Sequence, residues 1–397
     1  MLRAWAIVWI VAYHLMGNTR GYLTLNEAAA LLTQGGIKST VDSGLALFVS
    51  AGSTGVSVFL IISGFGLTAS WWKKYGSLGR EGMPLSEFWQ KRVFRIFPLF
   101  WAAVAIATLL YFLNPDWAPF GQDIWQQGPQ ASLLALLTTL TTLRNFIFDH
   151  YYFLNGAWWY VGLSLQLYLV FPWLIRWGCR WGWSKLLLAS LLFSLAYRAV
   201  CLLSLGESFG TLIPLAFFPS RLFEFVFGIY LAMTFLKSDS DSQPNERLLN
   251  ERLLDEKLLD EKLPKWLKAL LLEPQFIPLN FGVFFTGFIC KSLDYPVLTI
   301  FAEALVGVGL FCGLVSLAQI LRTGWFTRTV GKYSYGIYLI HMNVYLVLWP
   351  LALWVPSYWL RFVLVLLVTC GIGVGFDIGF AACRRAVLAA SSQQKTT

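Results

Sequence analysis

Long apolar runs separated by short polar or basic stretches recur along the whole chain. The runs at 94–114, 296–320 and 357–383 each supply about the 20 residues that a helix needs to cross a hydrocarbon core. The pattern predicts about ten membrane-spanning helices, at 2–17, 54–72, 94–114, 157–177, 184–206, 211–236, 276–292, 296–320, 333–354 and 357–383. The predicted fold class is therefore an all-α polytopic membrane protein, with the lipid bilayer as its surroundings.

The composition agrees with this class and argues against a nucleic-acid-binding protein and against a disulfide-rich or metal-binding protein. Of the 397 residues, 57% are apolar and 13% are charged. A net charge of +9 favours a nucleic-acid partner in a soluble protein, but here the basic residues lie in alternate loops between spans, so no nucleic acid is predicted. The six cysteines lie in or beside apolar runs without a CxxC pair, so neither a disulfide framework nor a metal site is predicted.

The positions of the basic clusters predict the orientation in the membrane. With both termini in the cytoplasm, the clusters near Lys73, Arg92, Arg176, Arg328 and Arg384 all fall on the cytoplasmic side. This holds only if the apolar segment 131–148 does not span, because a crossing there would move every later cluster outside. We therefore predict an interfacial or re-entrant helix at 131–148 on the outer face.

A change of composition marks residues 237–268, where a five-residue unit repeats as NERLL, NERLL, DEKLL and DEKLP. On a helix, a five-residue period moves the leucines around the surface and forms no continuous stripe. We predict a cytoplasmic low-complexity linker, with a partner-binding helix as the alternative. It separates residues 1–236 from 269–390, which we interpret as the two parts of one membrane domain.

The first predicted span, which contains RAWAIVWIVAYH, carries two ionisable residues. Arg3 and His14 are eleven positions apart, so on a helix they differ by only about 20° in direction and about 16 Å in height. An ionisable residue inside a membrane costs about 2.5–3.5 kcal/mol, which calls for a partner or a function. His14 is either a neutral imidazole satisfied by a neighbouring helix or a general base working near neutral pH.

Two further stretches place small or basic residues at spans. Ser63 and Gly64 interrupt the apolar run GVSVFLIISGFGLTAS, which is typical of close helix packing. Arg92 and Arg95 lie at i,i+3 at the cytoplasmic end of the third span. They are suited either to lipid phosphates or to the phosphates of a cytosolic donor.

The last two stretches place polar residues within later spans. Arg221 and Glu224 lie at i,i+3, a spacing that lets them neutralise each other in an ion pair. Ser334, Tyr338 and His341 follow an i, i+4, i+7 course along one helical face. Such a stripe is usually buried against other helices.

In chain order these five stretches resemble the acyltransferase 3 family of membrane O-acyltransferases. The family's basic residue, with ten residues between it and a histidine, corresponds to Arg3 and His14, its Ser-Gly-Phe to residues 63–65, and its R-x-x-R before proline to Arg92, Arg95 and Pro98. Its R-x-x-E-F-x-x-G begins here at Arg221 and ends at Gly228, and its G-x-x-S-Y-x-x-Y-L-x-H begins at Gly331 and ends at His341. The resemblance runs from residue 3 to about residue 385, apart from the repeat.

One departure from the family pattern lies in WYVGLSLQLYLVFP. Many members carry W-S-L-x-x-E at this place, whereas this chain has Tyr160 for the serine and Ser164 for the glutamate. The resemblance therefore leaves open whether this chain uses another acceptor.

The resemblance implies an enzyme, an O-acetyltransferase in which acyl-CoA, most simply acetyl-CoA, approaches from the cytoplasm. It implies as acceptor a hydroxyl of a cell-surface or exported glycan or glycolipid, a location in the plasma (inner) membrane, and neither a permanently bound cofactor nor a metal. By this resemblance His14 and Arg3 are catalytic and Arg92, Arg95 and Ser63 bind the donor. Supporting or acceptor roles fall to Arg221, Glu224, Ser334, Tyr335, Tyr338 and His341.

A second class of function competes with the enzyme. A transporter or flippase for a polar or lipid-linked substrate would use the ionisable residues in or near spans, which are Arg3, Arg198, Arg221, Glu224, Glu303 and Asp377. The two halves show no repeated broken-helix pattern of the kind that transporters often have. A non-catalytic sensor or scaffold is a third alternative.

Overall fold

The computed structural model describes residues 1–23, 27, 30, 37–75, 84–205, 216–236, 264–293, 295–321 and 324–393, and this part of the chain is helical and contains no strand. We number the α-helices in chain order. They are α1 Leu2–Thr19, α2 Ile37–Ser50, α3 Gly55–Tyr75, α4 Leu85–Leu113, α5 Gln122–Gln126, α6 Pro129–Leu140, α7 Trp159–Trp181, α8 Trp183–Leu205, α9 Phe218–Leu236, α10 Lys265–Leu272, α11 Ile277–Ser292, α12 Pro296–Ile320, α13 Trp325–Lys332, α14 Ser334–Leu351 and α15 Tyr358–Gln393.

Six helical segments of the described chain are long and apolar enough to cross a membrane. They are Thr40–Tyr75, which joins α2 and α3, Leu85–Leu113, Trp183–Ser204, Phe218–Leu236, Val297–Ile320 and Tyr358–Val387. The other four predicted spans coincide with α1, α7, α11 and α14, which are helices but fall outside this set. The all-helical multi-pass class is thus confirmed, whereas the count of ten and the orientation of the termini stay predictions.

Two predicted segments differ from ordinary spans. The predicted segment 131–148 overlaps α6, Pro129–Leu140, whose 12 residues are about 18 Å long, less than the thickness of a hydrocarbon core. This length agrees with a segment that does not cross the membrane. Most of the predicted repeat linker and the first residues of the predicted span 211–236 lie outside the described residues, and the linker's last residues already belong to α10.

Helix α1 occupies the centre of the bundle, where it packs against α2, α3, α13, α14 and α15. Ala4, Ile7, Val11 and Leu15 are almost completely buried along it. Because neighbouring helices cover this face, α1 does not need the length or uniform apolarity of a lipid-exposed span.

Helices α1 and α14 run parallel to each other. Ala4 of α1 lies next to Gly331, just before α14, and the His14 and His341 rings lie side by side about two fifths of the way along α14. Farther along, the Asn18 side chain donates a hydrogen bond to the Tyr345 hydroxyl at 2.6 Å. Residues of the two helices therefore meet at matching depths.

Helices α3 and α9 cross at two glycines. A Cβ atom on Gly64 would overlap the Phe225 carbonyl group, and one on Gly228 would overlap the Ile61 carbonyl group. Each glycine thus admits the backbone of the other helix, which is the use that small residues have in membrane helix pairs. Gly64 of the Ser-Gly-Phe stretch therefore serves packing, as its local sequence indicates.

Candidate functional site

A cavity of about 1060 Å³ lies between α1, α3, α4, α7, α14 and α15. Seven of the eleven residues that the sequence selects for a site line it: Arg3, Ser63, Arg92, Arg95, Ser334, Tyr335 and Tyr338. They come from four helices and span more than 300 positions of sequence. The fold thus brings the first, second, third and fifth of the five sequence stretches to one cavity.

The wall of the cavity is strongly basic. It carries the side chains of Arg3, Lys73, Arg92, Arg95, Lys332, Arg384 and Arg385, and among its described residues Asp377 is the one acid. None of the seven basic side chains forms an ion pair with a carboxylate of the described residues. A recess that is lined by one sign of charge and has apolar walls concentrates a potential that attracts anions.

Four of these cations were not among the predicted site residues. They are Lys73, Lys332, Arg384 and Arg385, which belong to the basic clusters near Lys73, Arg328 and Arg384 that predict the cytoplasmic side. Lys73 belongs to the last turn of α3, Lys332 ends α13, and Arg384 lies on α15. The sequence does predict that all four lie on the cytoplasmic side of the membrane. Whether helix ends on that side meet at one cavity depends on tertiary packing, which the sequence pattern does not show.

Arg92 and Arg95 lie on one face of α4 near its start. The Arg92 guanidinium lies over the Phe88 ring, 5.4 Å from its centroid, and its Nε has no hydrogen-bond partner in the described structure. The side chain of Arg95 is exposed. Two guanidinium groups at this spacing offer several N–H donors to one anion, the geometry that phosphate binding uses.

The wall formed by α7 contains the departure from the family pattern. Tyr160 and Ser164 both line the cavity, and the Ser164 hydroxyl donates a hydrogen bond to the Tyr160 carbonyl oxygen at 2.8 Å. Helix α7 therefore presents hydroxyl groups here and no carboxylate. The acid of the cavity is Asp377 of α15, which lies against Gly336.

His14 and His341 form a pair outside the set of residues that line the cavity. Their ring centroids are 5.3 Å apart, and His341 is completely buried. The His341 Nδ1 lies 2.7 Å from the Tyr338 carbonyl oxygen, which can only accept a hydrogen bond. Nδ1 therefore carries the hydrogen, and Nε2 of the neutral ring presents a lone pair that has no hydrogen-bond partner in the described structure.

The parallel course of α1 and α14 orders these residues by depth. The cavity contains Arg3 and Ser334 at the start of the two helices and reaches Tyr338, one turn farther. The histidine pair follows one turn beyond Tyr338, at about 16 Å from Arg3 along α1. Along the two helices the order is therefore the Arg3 end of the cavity, then Tyr338, then the histidine pair.

A buried arginine holds the shape of the loop that precedes α7. Arg144 is buried and donates hydrogen bonds to the carbonyl groups of Tyr151, Phe153 and Asn155, which shapes the loop. Burial lowers the pKa of Arg144 to about 9, which leaves its charge in place at neutral pH.

From this loop two side chains reach α14. The Trp158 indole donates to the Leu339 carbonyl at 2.8 Å, and the Asn155 amide donates to Asn343 at the same distance. Residues 339 and 343 lie on either side of His341, so the loop constrains the histidine. Neither Arg144 nor this role was predicted, because the contacts are between distant parts of the chain.

Arg221 and Glu224 lie in a separate buried cluster. Arg221 pairs with Glu224 at 3.2 Å and also with Glu303 of α12, whose carboxylate accepts a second ion pair from Lys291 at 3.0 Å. Arg198 of α8 donates to the Ser220 carbonyl at 2.7 Å. Of the two sequence interpretations, the ion pair describes the contacts here, and none of these residues lines the cavity.

Comparison with known proteins gives one match. A family model described as "Acyltransferase domain" matches residues 1–377 of this chain. The comparisons with curated proteins and with solved structures find no match.

Proposed function

The chain belongs to the acyltransferase family whose domain model spans 377 of its residues, and on this basis we propose that it is a membrane O-acyltransferase using a cytoplasmic acyl-CoA. In this proposal the acyl group, acetyl in the simplest case, goes to a hydroxyl of a glycan or glycolipid at the cell surface or in export. The observation that carries the proposal is the cavity, with seven basic side chains and one acid around it.

The basic wall suits coenzyme A because that molecule carries three phosphate groups at one end and its thioester at the other. Arg92 and Arg95 would hold phosphates through charge-assisted hydrogen bonds, and Lys332, Arg384 and Arg385 would add to the potential. Ser63 and Arg3 lie farther along the same wall. The long arm of coenzyme A then extends toward Tyr338.

His14 supplies the general base in this mechanism. It withdraws the proton of the acceptor hydroxyl while the oxygen attacks the thioester carbonyl carbon. The carbon–sulfur bond breaks, and the thiolate leaves with the proton returned by the imidazolium. The ester stays on the acceptor, and no acyl-enzyme intermediate is required.

The proposal is tested with the full-length protein in lipid nanodiscs and acetyl-CoA labelled in the acetyl group. We expect release of free coenzyme A and transfer of label to glycolipids of the source membrane. His14→Ala should lower the rate by about 10² to 10⁴, the range that a general base contributes. Binding of coenzyme A, measured by calorimetry, should stay unchanged in this variant because His14 does not line the cavity.

The alternative classes give different results in the same assay. A transporter would move substrate across a vesicle membrane without breaking the thioester, and a scaffold would do neither. Wild-type protein that binds coenzyme A but leaves acetyl-CoA intact with every glycolipid fraction would contradict the proposed function. Near-normal transfer by His14→Ala would remove His14 from the mechanism.

A further inference from the structure

Two buried polar atoms on α14 lack a hydrogen-bond partner in the described structure. They are the Tyr338 hydroxyl and the His341 Nε2, on side chains that are 7% and 0% exposed. A buried polar group without a partner costs about 1–3 kcal/mol, so a stable fold normally avoids it. Two such atoms within one helical turn indicate a place where another molecule supplies the missing partners.

The two atoms offer opposite hydrogen-bonding chemistry. His341 Nε2 is an acceptor, because Nδ1 holds the ring hydrogen for the Tyr338 carbonyl. The Tyr338 hydroxyl has no acceptor among the described residues, so its hydrogen is free to donate. Tyr338 can therefore donate a hydrogen bond to an oxygen atom of a ligand, and His341 Nε2 can accept a hydrogen bond from a ligand.

Tyr338 differs from Tyr335, another tyrosine of the cavity, in its location and contacts. It lines the cavity and lies in ring contact with both Tyr160, at 5.6 Å between centroids, and His341, at 5.8 Å. The Tyr335 hydroxyl, one turn closer to the basic wall, already donates to the Ile96 carbonyl at 3.1 Å. Tyr338 is thus the hydroxyl donor at the boundary between the basic cavity and the histidine pair.

We propose that the Tyr338 hydroxyl donates a hydrogen bond to the carbonyl oxygen of the bound thioester and stabilises the oxyanion that forms there. The inference rests on the proposed function. As the acceptor oxygen bonds to the carbonyl carbon, the carbon–oxygen double-bond electrons move onto the oxygen that Tyr338 contacts. They return when the carbon–sulfur bond breaks and the thiolate leaves, while the acceptor's proton passes through His14 to the sulfur.

This role follows from the local environment. A donor that is already in place and has no competing protein partner needs no reorganisation when charge develops on the oxygen. The Tyr338 side chain is 7% exposed and packs against the Tyr160 and His341 rings, and a hydrogen bond to an anion is stronger in such a low-polarity environment. The loop contacts of Trp158 and Asn155 with α14 hold the helix on both sides of this position.

The test is Tyr338→Phe in the full-length protein in nanodiscs, with acetyl-CoA as the donor. We expect kcat for thioester cleavage and transfer to fall by about 10² to 10³, the usual loss for one oxyanion donor, with KM for acetyl-CoA nearly unchanged. The melting temperature should not fall, because the deleted hydroxyl donates no hydrogen bond within the protein. Tyr230→Phe, which changes a buried tyrosine of α9 outside the cavity, is the matched control and should keep the wild-type kcat.

The outcomes separate this inference from the function on which it rests. If wild-type protein is active and Tyr338→Phe keeps its kcat, Tyr338 is not the donor and the inference is overturned while the proposed function stands. A lowered melting temperature with activity lost in proportion to folded protein would assign Tyr338 a structural role and also overturn it. Wild-type protein that leaves acetyl-CoA intact would instead contradict the proposed function itself.

Discussion

The molecule holds its cations in two contrasting ways. Around Glu303, which we call the ion cluster, Arg198, Arg221 and Lys291 are satisfied by carboxylates and carbonyl groups inside the protein. Around the cavity, seven basic side chains have no carboxylate partner among the described residues. The same residue types thus stabilise the bundle in one region and remain available to a ligand in the other.

The contrast teaches that an ionisable residue in a membrane helix is not by itself evidence of a functional site. Arg221 and Glu224 belong to one of the five sequence stretches, yet their contacts join α9 to α12. The useful distinction is whether the charged side chain has a partner of opposite charge within the protein. Where it does, mutation should affect folding, and where it does not, mutation should affect binding.

The largest expected effect is on the ion cluster. Glu303→Gln leaves Arg221 and Lys291 without their shared carboxylate, and breaking a buried ion pair typically costs about 3–5 kcal/mol. We expect a large fall in melting temperature and in the yield of folded protein, measured in detergent.

The matched control for this change is Glu87→Gln. Glu87 pairs with Lys74 and Lys91 at the exposed start of α4, and exposed pairs contribute about 1 kcal/mol or less. Equal stability losses in the two variants would remove the distinction between the regions.

An intermediate effect is expected where the two regions adjoin. In the Ser-Gly-Phe stretch, Ser63 faces the cavity and Gly64 faces α9. Gly64→Ala places a methyl group against the Phe225 backbone, and overpacking of this kind costs about 1–3 kcal/mol. We expect a lower melting temperature for this variant.

Gly66→Ala tests the specificity of that effect, because a Cβ there meets only the end of the Arg3 side chain, at 3.8 Å. Its melting temperature should equal or slightly exceed that of the wild type, because alanine favours a helix over glycine. A destabilisation by Gly66→Ala as large as that by Gly64→Ala would show that close packing at the crossing does not explain the loss.

The smallest effect on stability and the clearest one on binding belong to the cavity. Arg92→Ala and Arg95→Ala should each weaken coenzyme A binding by about tenfold to a hundredfold, because each removes charge-assisted hydrogen bonds to phosphate. Melting temperatures should stay near the wild-type value, because neither arginine pairs with a carboxylate that the substitution would leave unpaired.

Arg180→Ala is the control for these two variants. Arg180 is exposed at the end of α7, on the predicted cytoplasmic side but outside the cavity. Its coenzyme A affinity should equal that of the wild type. If all three variants bind equally well, Arg92 and Arg95 are better interpreted as lipid anchors.

The sequence predicted the class of the fold and the family because both depend on local signals. Apolar runs identify helices, and the spacing of Arg3 from His14 or of Arg92 from Arg95 is preserved on any helix. These signals also selected seven residues that line the cavity.

Contacts between residues that are far apart in the sequence could not be predicted from such local signals. The ion pair of Arg221 with Glu303 joins residues 82 positions apart, and the approach of His14 to His341 joins opposite ends of the chain. Nothing near Arg384 or Lys332 in the sequence distinguishes a cavity residue from a marker of orientation. Arg144 likewise has no local pattern, since its partners are carbonyl groups of a loop.

The parallel register of α1 and α14 has a consequence for the length of the donor. On the proposed function, the phosphates lie at or beyond the Arg3 end of the cavity, so they are at least about 16 Å from an acyl carbon presented to His14, the rise along α1 between Arg3 and His14. An acyl phosphate, whose two groups share one oxygen atom, is too short to reach both ends. On the proposed function, this spacing favours donors that carry their acyl group on an extended arm.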